Sequence, residues 1–83
     1  MGALSRDDLR NMMADVLSAQ GKTIPAEDSA VLEQIGFRSL DFSELALRVE
    51  DEIGEELNFD APELRQIRTI SDVLDFLEQL QAA

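Results

Sequence analysis

The sequence predicts an all-α fold: a small four-helix bundle of three longer helices and one short helix, with a long loop between helices 1 and 2. Apolar residues recur three and four positions apart in three separate stretches. Helix-start signals stand before several of these stretches, and no stretch shows the alternation of a strand. Eighty-three residues with 45% hydrophobic content give one modest core, hence a single domain over residues 1–83. With four phenylalanines and no tryptophan or tyrosine, that core has to be mainly aliphatic.

The first helix is expected from about Ser5 to Ala19. Ser5 caps it, Asp8 three residues later completes a capping-box pattern, and Leu9, Met13, Val16 and Leu17 form its buried stripe. Gln20-Gly21 stops it. The stretch from Gly21 to Arg38 contains Pro25 and is long for an irregular segment in a compact domain, which marks it as functional or pinned. Ile24, Val31, Leu32, Ile35 and Phe37 are the expected pins, and Ala30 to Gln34 has room for a helical turn.

The second helix is expected from Ser39 or Leu40 to about Ile53, ended by Gly54. Phe42, Leu45, Ala46, Val49 and Ile53 share one arc about 100° wide, which is the core face. Leu40 and Leu47 fall together on the opposite side, bordered by Ser43, Glu44 and Asp51. A short third helix follows, with Asp60 as cap, Pro62 and Glu63 in the first turn, and Phe59 and Leu64 spaced as a hydrophobic staple. The last helix begins after Thr69, with Asp72 three residues on, and runs to about Gln81. Ile70, Val73, Leu74, Leu77 and Leu80 make its stripe, with Phe76 off the centre.

Eighteen acids against seven bases give a net charge of −11. That excludes nucleic acid, whose phosphates need clustered Lys and Arg, and favours partners with basic patches. Between Ser39 and Glu63 there are nine acids against Arg48 alone. The chain has neither histidine nor cysteine, so it lacks the commonest general base, the thiol nucleophile and the usual zinc ligands. Glu55 and Glu56 after Gly54 do not meet the spacing of a calcium loop, and no dedicated metal site is expected. No apolar run approaches the ~18–20 residues of a membrane span, and a cytoplasmic, soluble, monomeric protein is the expectation.

Ser39 stands where the long loop enters the acidic helix. A hydroxyl there lies near open backbone N–H groups and the positive end of the helix dipole, so a phosphate on its oxygen would be well placed. The bland alternative is that Ser39 merely caps the helix. As a nucleophile it has no histidine to activate it, so activation must come from another protein and no catalytic residue is assigned.

The order of long helix, long loop, Gly36-Phe37-Arg38-Ser39-Leu40, acidic helix, short helix and final helix resembles the acyl carrier and peptidyl carrier proteins. The resemblance spans nearly the whole chain and centres on the family's Gly-x-Asp-Ser-Leu. It implies that Ser39 receives a 4′-phosphopantetheine arm from coenzyme A through a separate phosphopantetheinyl transferase. The arm's thiol then holds an acyl or aminoacyl group as a thioester, which accounts for a thioester carrier that has no cysteine. Loading enzymes and downstream synthases or transferases with basic docking patches are the implied partners. Leu40, Asp41, Glu44, Leu47, Glu50 and Asp51 are the candidate docking residues.

Arg38 departs from the family, which usually has aspartate there, and leaves open which transferase accepts the chain. It marks a specialised discrete carrier, of polyketide or nonribosomal peptide rather than housekeeping fatty-acid biosynthesis. Arg38 itself has three readings: a solvated loop arginine, a partner of Asp41, or a ligand for the arm's phosphate. The competing function is an unmodified, carrier-like helical adaptor that docks through the acidic second helix. A small hydrolase using Ser39 is disfavoured by the absence of a base.

Overall fold

Ser5 opens the first helix as a reciprocal cap. Its hydroxyl accepts the Asp8 N–H at 3.1 Å, and the Asp8 carboxylate accepts the Ser5 N–H at 3.1 Å. The computed structural model describes residues 4–54, 56 and 66–82. Within them lie α1 (Arg6–Ser18), α2 (Leu32–Ile35), α3 (Ser39–Ile53) and α4 (Ile70–Ala82). The three longer helices fall within a residue or so of their expected bounds, and the turn expected over 30–34 is the short α2. The short helix expected around Asp60, Pro62 and Glu63, with its Phe59–Leu64 staple, lies outside the described residues.

α1 packs on both α3 and α4. Leu9, Met13, Val16 and Leu17 of α1 are fully buried, as are Leu45 and Val49 of α3 and Ile70, Val73, Leu74 and Leu77 of α4. Each aliphatic side chain so buried stabilises by about 1.5–3 kcal/mol, whereas an exposed ion pair contributes about 0–1 kcal/mol. The apolar stripes therefore hold the bundle, and the charges trim it. Phe76 is half-buried and tilts against Phe42 with ring centroids 5.9 Å apart.

The long loop is fastened mainly through its backbone. Val31 and Thr69 form an isolated antiparallel bridge, with Leu32 N–H donating to Arg68 C=O at 2.9 Å and Ile70 N–H to Ala30 C=O at 3.1 Å. Ser71 N–H donates to Asp28 C=O at 2.8 Å. The first N–H groups of any helix lack intrahelical acceptors, and here the loop's carbonyls supply them for α4. The expectation that the Val31 side chain is a pin is corrected: it is exposed, and this residue holds the loop through its peptide groups. Leu32 and Phe37 are buried as expected, and Ile24 and Ile35 pack against the core's edge.

Two arginines of α1 tie this frame together. Arg6 Nη1 contacts Asp75 at 2.7 Å and Glu78 at 2.6 Å on α4, and Nη2 donates to Ser71 Oγ at 3.0 Å. Hydrogen bonds to Glu78 and Asp75 raise the guanidinium pKa further above its already high value. Arg10 pairs with Asp28 at 3.1 Å and donates to the Pro25 carbonyl, which holds the middle of the loop against α1.

Candidate functional site

The chain reaches α3 through a left-handed turn. Gly36 has φ 77°, a conformation costly for residues with a Cβ, and a Cβ there would lie 2.9 Å from Lys22 Nζ. That ammonium donates to Gly36 C=O at 2.8 Å and to Gln20 Oε1 at 3.1 Å. Phe37 is buried, its N–H donating to Leu32 C=O at 3.0 Å. Arg38 follows in extended conformation (φ −112°, ψ 179°) at the position before the helix, and Ser39 is the first helical residue.

This settles which residue caps α3. The Asp41 carboxylate accepts the Arg38 N–H at 2.8 Å, one half of a capping box, and the other half is absent because arginine has no acceptor to return. Ser39 is exposed, and among the described residues its hydroxyl makes no hydrogen bond. The reading of Ser39 as a mere cap therefore fails: it stands one position too late. The N–H groups of Ser39, Leu40 and Asp41 also find no acceptor among the described residues, as is general for the first N–H groups of a helix, and such groups favour an anion.

Asp41 differs from its expected role. It is only 7% exposed, and its second oxygen accepts a hydrogen bond from the Gln20 side chain. Both oxygens thus serve the fold around Ser39, and the expectation that Asp41 presents its charge to a partner is corrected. The other docking candidates lie differently. Leu40 is 84% and Leu47 63% exposed, two turns apart on the face opposite Phe42, Leu45 and Val49. Glu44 and Asp51 are exposed and Glu50 is half-buried. Arg48 sits 3.8 Å from Glu44, an exposed pair one turn apart that contributes about 0.3–0.5 kcal/mol.

Beside Ser39 opens a groove of about 760 Å³. Its described lining includes the apolar residues Leu32, Phe37, Phe42 and Ile67, and Ser43 with the two arginines Arg38 and Arg68. Ile67 and Arg68 escape a reading of the sequence because nothing local connects residues 67–68 with residue 39. Gln20 and Lys22 escape it for the same reason. Only the Ser39-Leu40 dipeptide and its acidic sequel carry a local signal.

The family model for the phosphopantetheine attachment site matches residues 7–77. The chain belongs to the phosphopantetheine-attachment family, the family of the acyl carrier proteins. An acyl carrier protein of Coprothermobacter proteolyticus is 35% identical over 71 residues, covering 86% of this chain and 83% of the relative. One of Chlamydia trachomatis is 29% identical over 75 residues, covering 90% and 94%. The crystal structure of an acyl carrier protein from Thermotoga maritima superposes with a TM-score of 0.67 at 25% identity, over 89% of this chain and 87% of that one.

As a member of this family the chain is a carrier and not an enzyme, and its cofactor is a covalent 4′-phosphopantetheine. The site fits such a group on physical grounds. Among the described residues a serine hydroxyl makes no hydrogen bond and three N–H groups beside it find no acceptor, and an open groove adjoins it. A phosphopantetheine held there would supply the thiol that the sequence lacks. Among the described residues no helix is long and apolar enough to cross a membrane.

Proposed function

We propose that Ser39 is the attachment point of the phosphopantetheine arm, and that residues 1–83 act as one carrier unit presenting acyl or aminoacyl thioesters to partner enzymes. The observation that carries this reading is the exposed Ser39 hydroxyl, which makes no hydrogen bond among the described residues. The proton it gives up on modification has no acceptor of suitable basicity in a chain without histidine, so the base belongs to the transferase. An unmodified adaptor would have no use for that hydroxyl, and that reading has only Arg38 in its favour.

Docking is assigned to the face bearing Leu40, Glu44, Leu47, Glu50 and Asp51. The two exposed leucines anchor a partner, while the carboxylates steer a basic patch toward them and fix its register. The pathway is assigned to natural-product synthesis of the polyketide or nonribosomal peptide type rather than general fatty-acid synthesis, on the strength of Arg38. Mass analysis of the protein from its native host reads arm and cargo together and decides this.

The direct test is incubation with coenzyme A and a broad-specificity transferase, followed by intact-mass measurement. One phosphopantetheine mass is expected on the natural sequence and none on Ser39→Ala. No gain on the natural sequence, or an equal gain on the variant, overturns the assignment.

A further inference from the structure

We infer that Arg38 and Arg68 form a two-sided clamp for the phosphodiester at the base of the arm, an inference that rests on the Ser39 assignment above. Both arginines line the groove that Ser39 lines, and the described lining holds one carboxylate, Glu33, against them. The balance of charge there is the reverse of the whole chain, which has eighteen acids to seven bases.

The other described cations are already engaged. Arg6 and Arg10 serve the α1–loop–α4 network, Arg48 pairs with Glu44, and Lys22 donates to the Gly36 carbonyl. Among the described residues Arg38 and Arg68 make no ion pair, and both are exposed. Two guanidinium groups without an ion pair among the described residues, gathered at one groove in so acidic a protein, suit an anion as partner; the Asp72 carboxylate, which the Arg68 charge favours, is already held by the Arg68 and Thr69 N–H groups.

The chemistry of the arm selects which anion. A phosphorus bonded directly to Ser39 Oγ keeps its two free oxygens close to the serine, while the thioester lies at the far end of the arm. A phosphodiester offers paired oxygens to the planar fork of arginine, which matches them with two parallel N–H donors. The backbones that carry the two side chains are held in advance. Arg38 N–H is bound by Asp41, Arg68 N–H donates to the Asp72 carboxylate at 3.0 Å, and Arg68 C=O accepts the Leu32 N–H at 2.9 Å. Less freedom is then lost when the clamp closes. It fixes the arm's direction of departure over the groove and leaves the distal thiol mobile.

The test compares the protein before and after modification by nuclear magnetic resonance. Intact mass first confirms that one phosphopantetheine is added, and its absence on Ser39→Ala places it on Ser39. The Nε–H signals of both Arg38 and Arg68 are expected to shift on modification at low salt and to return toward their unmodified positions as salt is added. The ³¹P resonance of R38Q/R68Q is expected to move to the position of a free phosphodiester, with Tm unchanged because both side chains are exposed. An unmoved Arg68 signal in the confirmed modified protein overturns the clamp and leaves the Ser39 assignment standing. So does a ³¹P resonance identical in the natural and variant proteins. Absence of the mass gain overturns both, and is recognised at the first step. The arginine signals are read on the natural sequence, so a poorly folding variant would not spare the proposal.

Discussion

The starts of α3 and α4 use one local device and reach opposite ends. Each has an aspartate at the third helical position that reaches back to the N–H before the helix, Asp41 to Arg38 at 2.8 Å and Asp72 to Thr69 at 3.1 Å. At α4 the cap is a threonine, whose hydroxyl accepts the Asp72 N–H at 3.2 Å and closes the box. The loop carbonyls of Ala30 and Asp28 complete it. At α3 the cap is an arginine, the hydroxyl has moved one residue into the helix, and the box stays half open. A one-residue displacement thus separates a structural terminus from a chemical one: the same hydroxyl type either serves its own backbone or is left for a partner.

The largest expected effect comes from undoing that displacement. The double variant R38S/S39A returns a hydroxyl to the cap position of α3. It should gain about 0.5–1 kcal/mol in urea unfolding and lose pantetheinylation completely by intact mass. Stability that falls, or a retained mass gain, would mean that the two helix starts do not differ in the way described.

Gly36→Ala comes next. It forces a Cβ into the left-handed region and against Lys22, and it should cost about 1–2 kcal/mol while slowing modification of the neighbouring serine. An unchanged rate would separate the turn from the site. Smaller again is the contrast between hydroxyls. Thr69→Ala should cost about 1 kcal/mol, whereas Ser39→Ala should stay within about 0.5 kcal/mol in the same denaturant titration. Equal costs would show that Ser39 serves the fold after all.

The finest test is acid. Hydrogen bonds from the Arg68 N–H, and then from the Thr69 N–H and hydroxyl, hold the Asp72 carboxyl below its ordinary 3.8 against the opposing effect of burial. A carboxyl with a lower pKa folded than unfolded contributes stability above its unfolded value, and that contribution is lost as pH falls through the folded one. Urea midpoints measured from pH 5 downward should therefore decline below about pH 4, and Asp72→Asn should make that decline shallower. Parallel curves for the two proteins would remove Asp72 from the account of α4.

Much of the site was legible because its signals are local. Ser39 followed by Leu40 and an acidic helix, and the outward placement of Leu40 and Leu47, depend on residues within one or two helical turns. Asp41 was misread for the opposite reason. Helical periodicity puts it near the solvent side, whereas in the fold it is buried and accepts a hydrogen bond from Gln20, twenty-one residues away.

What the sequence alone determined is the set of helices and their apolar stripes, since spacing of 3.6 residues and capping within three residues are properties of contiguous chain. Tertiary structure decided which polar groups remain available. It fastened the loop to α4 through the Val31–Thr69 bridge, occupied Asp41 from the turn after α1, and gathered Arg38 and Arg68 beside a hydroxyl that no described residue holds. Hydrogen-bond partners and burial depend on groups far apart in the chain meeting in space, and no local period encodes such meetings.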